Sequence, residues 1–136
     1  MPLTYSIDSV HKIVVANAFG ILSIDDIFGY QREVWLRPLV RGFNELVDMT
    51  NVEAVNPPTA DQLRSFSEFA ASMDDVVGQS KLAIVAQGDL DYGLARMFQS
   101  FREMNPNSKK VISVFRSLKD ALEYLGIGDP GIQTKT

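Results

Sequence analysis

Asp89, Tyr92 and Arg96 stand within the stretch "DLDYGLARMFQSF", residues 89–101, and Tyr92 and Arg96 are four positions apart, so a helix carries both on one face. A guanidinium beside a phenol and a carboxylate is a binding arrangement: the planar fork suits an anion or a carboxylate. Asp48 and Thr50 in "LVDMT" and Arg116 in "VFRS" add polar groups, each at or just past an apolar run. None of these makes a nucleophile–base pair. The chain has no cysteine, which excludes thiolate catalysis, disulfides, iron–sulfur clusters and Cys-ligated zinc. The solitary His11 cannot form a histidine metal cluster, and no G-x-S-x-G elbow presents a serine to it. The chemistry in reach is recognition, with no metal, no cofactor and no catalytic residue expected. Gly93 lies next to Tyr92 in the same stretch, where a helical glycine costs about 1 kcal/mol against alanine. Two readings account for it: packing too tight for a Cβ, or approach of a ligand to the first helical turn.

Elements must hold these groups in place. "TYSID" (4–8) and "KIVVANAFG" (12–20) read as a β-hairpin, with Ile13, Val15 and Phe19 alternating against Val14, Ala16 and Ala18. A helix follows from the N-cap Ser23, with Asp25 and Asp26 in the first turn where the helix dipole favours anions, and Pro38 ends it. "FNELVDMT" (43–50) reads as a short strand and "NVEAVNPP" as a loop; Thr59 and Gln62 form a capping box for a helix with the stripe Leu63, Phe66, Ala70 and Met73, fraying toward Gly78. "KLAIVA" (81–86) is nearly all apolar, the mark of a strand covered on both faces, and is expected at the centre of the sheet. Asp89 is expected to cap the next helix, with Leu94, Met97, Phe98 and Phe101 inward. "KKVISVF" (109–115) is the last strand. A closing helix runs from the cap Ser117 to Gly126, and the tail 127–136 is expected to have little fixed structure.

The order is ββαβαβαβα, an α/β domain over residues 1–126 with one sheet, parallel apart from the first hairpin, and flanking helices. In such sheets ligands bind beyond the carboxyl ends of the strands. That rule gathers Asp48, Thr50, Asp89, Tyr92, Gly93, Arg96 and Arg116 as candidate ligand-binding residues. For Arg96 the competing reading is a surface ion pair with Asp89, Asp91 or Glu103. For Asp48 it is a carboxylate that fixes the next loop.

Three stretches, "LVDMTNV" (46–52), "AIVAQGDLDYGLARMFQSF" (83–101) and "VFRSLKDALEYLG" (114–126), together resemble the SpoIIAA-like family of small bacterial proteins, related in fold to STAS domains and to the lipid-exchanging CRAL-TRIO fold. The resemblance covers about residues 4–126. It implies a STAS-type binding or regulatory module that docks a protein partner or small ligand at the strand-end loops. The CRAL-TRIO relation implies the alternative of a carrier for a small amphipathic or lipid-like ligand, in an apolar pocket between helices 24–36 and 59–75. STAS domains that antagonise anti-sigma factors are switched by phosphorylation at the start of the helix after the corresponding strand. Here that stretch reads Asn56-Pro57-Pro58-Thr59, with no serine, so Thr59 is the nearest phosphorylation candidate besides being a helix cap.

The bulk numbers fit this reading. With 136 residues and 46% hydrophobic content the chain builds one core, and a net charge of -4 with scattered basic residues offers no stripe for a nucleic-acid backbone. No apolar run approaches the ~20 residues of a membrane span. The start "MPLTYSIDSV" lacks the order of an export signal, so the expected address is the cytoplasm. An exposed first strand makes a homodimer the expected assembly.

Overall fold

In the computed structural model, which describes residues 2–74 and 80–128, the chain opens with β1 (Leu3–Asp8) paired antiparallel to β2 (Ile13–Leu22), Leu3 opposite Ala18 and Asp8 opposite Ile13. The turn between them is organised by Asp8, whose carboxylate accepts the backbone N–H groups of Val10 and His11 and lies 2.6 Å from His11 Nδ1. Along β2, Val14, Ala16 and Ala18 enter one core and Ile13 and Val15 another, so both faces are covered.

From β2 the chain passes through α1 (Ile24–Trp35), a 3-10 turn at Pro38–Val40, β3 (Asn44–Val55), α2 (Ala60–Ser72), β4 (Lys81–Val85), α3 (Asp89–Met104), β5 (Val111–Phe115) and α4 (Leu118–Leu125). The strands lie in the order β1-β2-β3-β4-β5, with β2 to β5 parallel. Each right-handed crossover advances the sheet in the same direction, which lays α1, α2 and α3 on one face. There they bury Tyr30, Val34, Leu63, Phe66, Ala95 and Phe98 against Val14, Ala16, Leu82, Ile84 and Ile112. The single helix α4 covers the other face through Ala121, Leu122 and Leu125 on Val15, Leu46, Ala83 and Val85. Helix starts behave as their sequences dictate: Ser23 with Asp26 and Thr59 with Gln62 make reciprocal capping boxes, and Ser117 accepts from the Asp120 N–H. Gly126 closes α4 at φ +72°, a left-handed conformation that glycine adopts without strain.

Four local expectations are corrected. Residues 51–55, read as loop, continue β3 to Val55, because the far end of β2 supplies a parallel partner for them, Phe19 opposite Asn51 and Leu22 opposite Val55. Two register shifts, between Asn17 and Phe19 and between Gly20 and Ile21, take up extra β3 residues as bulges. "KLAIV" is interior and buried on both faces, but β3 rather than β4 is the middle strand. Gly88, not Asp89, is the N-cap of α3, and having no side chain it makes no cap hydrogen bond, while the Asp89 carboxylate in the first turn pairs with Arg116. On α3, Met97 is 41% exposed while Ala95 and Arg102 are buried, so the inward stripe is rotated from the predicted one. The expected fraying toward Gly78 and, from 129 on, the expected loose tail lie outside the described residues.

Candidate functional site

The carboxyl end of the sheet brings some of the predicted residues together. Arg116, directly after β5, donates from Nη1 to Asp89 Oδ1 at 2.9 Å and to the Gln87 carbonyl at 3.0 Å, and its guanidinium carbon sits 4.2 Å from the centre of the Tyr92 ring. Asp89, Tyr92 and Arg116 are therefore one surface cluster. The ion pair is solvated, with the Asp89 side chain 97% exposed, and pairs of this kind contribute about 0–1 kcal/mol. Arg96 is exposed and, among the described residues, forms no hydrogen bond or ion pair, so it stands outside the cluster. Gly93 is exposed, and a Cβ built on it meets nothing within 4 Å. Tight packing is therefore not the reason for this glycine. Asp48 follows the strand alternation of Leu46 and faces the α4 side of the sheet. Its Oδ1 accepts the Thr50 N–H at 2.9 Å and the Thr50 hydroxyl, a local tie at the first β3 bulge. The Thr59 hydroxyl oxygen accepts the Gln62 N–H at 3.1 Å.

A different feature lies under α1, α2 and α3: a cavity of about 110 Å3 between these helices and the sheet, bounded mainly by apolar side chains. Its floor follows β3, where Glu45, Val47 and Met49 are alternate residues on the helix side, with Ala18, Leu82 and Ile84 beside them. Ile24 and Ile27 of α1, Leu63 and Phe66 of α2, and Leu94, Ala95 and Phe98 of α3 form the walls. At the carboxyl ends of the strands it is edged by exposed Asn56 and half-buried Ser23, Pro58 and Asp91, which makes this end the mouth. The sheet rule that gathered the strand-end residues thus holds for the position of the mouth.

The inner end is polar. Glu45 is 4% exposed; its Oε2 accepts from Tyr30 Oη at 2.6 Å and from Trp35 Nε1 at 3.1 Å, and its Oε1 accepts from Lys110 Nζ at 2.9 Å. The ammonium of Lys110 also lies 3.3 Å from the centre of the Trp35 ring. Burial, followed by the charge of Glu45, pushes the Tyr30 hydroxyl well above its ordinary value, so it stays a donor. Arg102, 2% exposed, is paired with Asp74 and Ser108, and the Asp74 carboxylate further accepts the N–H groups of Lys109 and Lys110. Both buried cations therefore have carboxylate partners. At the mouth, desolvation raises the Asp91 carboxyl above its ordinary value.

Reading the sequence by strand ends missed Tyr30, Gln31, Glu45, Arg102 and Lys110. A signal was present in "NELVDM": Glu45 shares its strand face with Val47 and Met49, and a carboxylate on a covered face must find partners. Where those partners came from was not legible, because Lys110 is 65 positions away.

A mixed five-stranded sheet with this order and four helices is the SpoIIAA-like fold, the class that the sequence resembles. Among solved structures, an uncharacterised protein of the DUF3478 family with a SpoIIAA-like fold, from Shewanella loihica PV-4, superposes with a TM-score of 0.56 over 90% of this chain and 93% of its own. The two are 16% identical, so the likeness is one of fold. No protein-family model and no curated protein matches the sequence.

Proposed function

We propose that this domain is a non-enzymatic binding module of the SpoIIAA-like fold, and that it holds a small amphipathic ligand in the cavity beneath α1, α2 and α3. The observation that carries this reading is the cavity itself, apolar along its walls, polar at its inner end and edged by solvent-exposed residues at the carboxyl ends of the strands. An engineered apolar cavity of about 150 Å3 takes up benzene, so this one suits a fragment of roughly four to six heavy atoms, and a longer tail would leave through the mouth. The test is native mass spectrometry of the purified protein together with thermal shifts by 1-chlorobutane. A bound mass or a raised Tm is expected, and both are expected to be lost in Ala95→Leu, which fills the space. Absence of both effects in the parent protein overturns the reading.

A second reading, docking of a protein partner at the strand-end loops, draws on Arg96, an exposed cation with no partner among the described residues, beside the Asp89–Tyr92–Arg116 cluster. Arg96→Ala weakening capture of a partner while leaving probe binding intact supports it. The expected homodimer would join two copies along the outer edge of β1, and a monomeric mass at every concentration in light scattering removes it. No helix among the described residues is long and apolar enough to cross a membrane.

A further inference from the structure

At the inner end of the cavity one polar side chain lacks a matching partner. Gln31, the residue after Tyr30 on α1, is 7% exposed and borders the cavity. Its amide makes a single weak contact, Nε2 to Met73 Sδ at 3.5 Å, and its carbonyl oxygen accepts from nothing among the described residues. A buried amide oxygen left without a donor is costly, about 1–3 kcal/mol, and native interiors rarely keep one without a reason. Lys110 borders the same end. Its ammonium has three N–H groups, of which one is given to Glu45 Oε1 and the cation as a whole faces the Trp35 ring. A donor and an acceptor thus border one end of an otherwise apolar space.

The charge balance restricts what can answer them. Lys110 is matched by Glu45, with side chains 8% and 6% exposed, and Arg102 by Asp74, each 3% exposed. At this inner end, among the described residues, no positive charge is left over for an entering carboxylate or phosphate and no negative charge for an amine; the unpaired carboxylate of the lining, Asp91, stands at the mouth. Either ion would be buried without a counter-charge, at a desolvation cost of several kcal/mol. A neutral group that both donates and accepts, a hydroxyl or a primary carboxamide, satisfies the Gln31 oxygen and takes an N–H of Lys110 without adding charge.

From this juxtaposition we infer that the cavity selects a neutral hydroxyl- or carboxamide-bearing ligand, with its polar end inward on Gln31 and its apolar part along Val47, Ile27 and Phe98 toward the mouth. This rests on the ligand-binding reading above and names the ligand class.

The experiment measures binding of n-butanol, butyramide, butyrate, n-butylamine and 1-chlorobutane to the intact protein by NMR titration at neutral pH. The alcohol and the amide are expected to bind roughly threefold to tenfold more tightly than the chloride, the range of one net hydrogen bond, and the two ions more weakly than all three. The Gln31 side-chain amide resonances are expected to shift with n-butanol and to stay in place with 1-chlorobutane. In Gln31→Leu the advantage of the alcohol is expected to disappear while the chloride binds as before. Equal binding of alcohol and chloride, tighter binding of butyrate or butylamine, or an unchanged preference in Gln31→Leu overturns the selectivity and leaves the cavity as an apolar site. Binding by none of the five overturns the cavity reading as well.

Discussion

Gly93 shows how one residue tests an explanation. It sits in α3 with open space where its side chain would be, so neither close packing nor any neighbour in the fold requires glycine there. Gly93→Ala is therefore expected to stabilise the protein by about 0.5–1 kcal/mol in a urea unfolding curve, the difference in helix propensity. Gly126→Ala is expected to do the opposite by a similar amount, because φ +72° strains any residue with a Cβ. Asp91 sets two effects against each other: the start of α3 favours a negative charge, while the cavity mouth desolvates it. Burial at the mouth raises its carboxyl above the ordinary value. A folded-state pKa above the unfolded one means that the folded protein binds the proton more tightly. The stabilisation is present in acid and is lost as pH rises through the folded pKa. Asp91→Asn is thus expected to melt above the parent protein at pH 7, with the two Tm values converging below about pH 4. A parent that melts higher at neutral pH would show the helix dipole to be in control.

At the scale of elements, the Glu45 network ties α1, β3 and the segment entering β5 to one carboxylate. Lys110→Met leaves that carboxylate buried without its counter-ion and is expected to cost about 3–5 kcal/mol in denaturant unfolding. Adding Glu45→Gln is expected to return most of the loss, since a neutral amide still accepts from Tyr30 and Trp35. A double variant no better than the single one would mean that the lysine acts through packing alone. β3 offers a second contrast. Its residues 45–48 pair with both β2 and β4, whereas 51–55 pair with β2 only. Hydrogen exchange is expected to be slow in the first segment and fast in the second; equal protection would require an additional partner along the outer part of β3.

For the whole molecule, the distribution of helices decides where a cavity can form. Three crossover helices share one face, and the space between their tips and β3 is not fully filled, while α4 alone closes the other face. An internal void shrinks the system when the protein unfolds, so pressure unfolding is expected to show a smaller volume change in Ala95→Leu than in the parent protein. An equal volume change would place the void elsewhere.

The division between what the chain's order of residues determined and what the tertiary structure decided follows from range. Period-two runs such as Ile13–Ala18, the Ser23, Thr59 and Ser117 caps and the nearly all-apolar "KLAIV" are local signals, and each resolves within a turn or a strand. They were sufficient for the element order and the mixed sheet, while the SpoIIAA-like class was legible only through the resemblance of three stretches, 46–52, 83–101 and 114–126. The site was not local. Glu45 and Lys110, Arg102 and Asp74, and the walls drawn from three helices meet only because successive crossovers stack those helices on one side of the sheet. A carboxylate on a strand announces that it needs partners, but which distant side chains satisfy it, and how much space is left between them, is settled by packing.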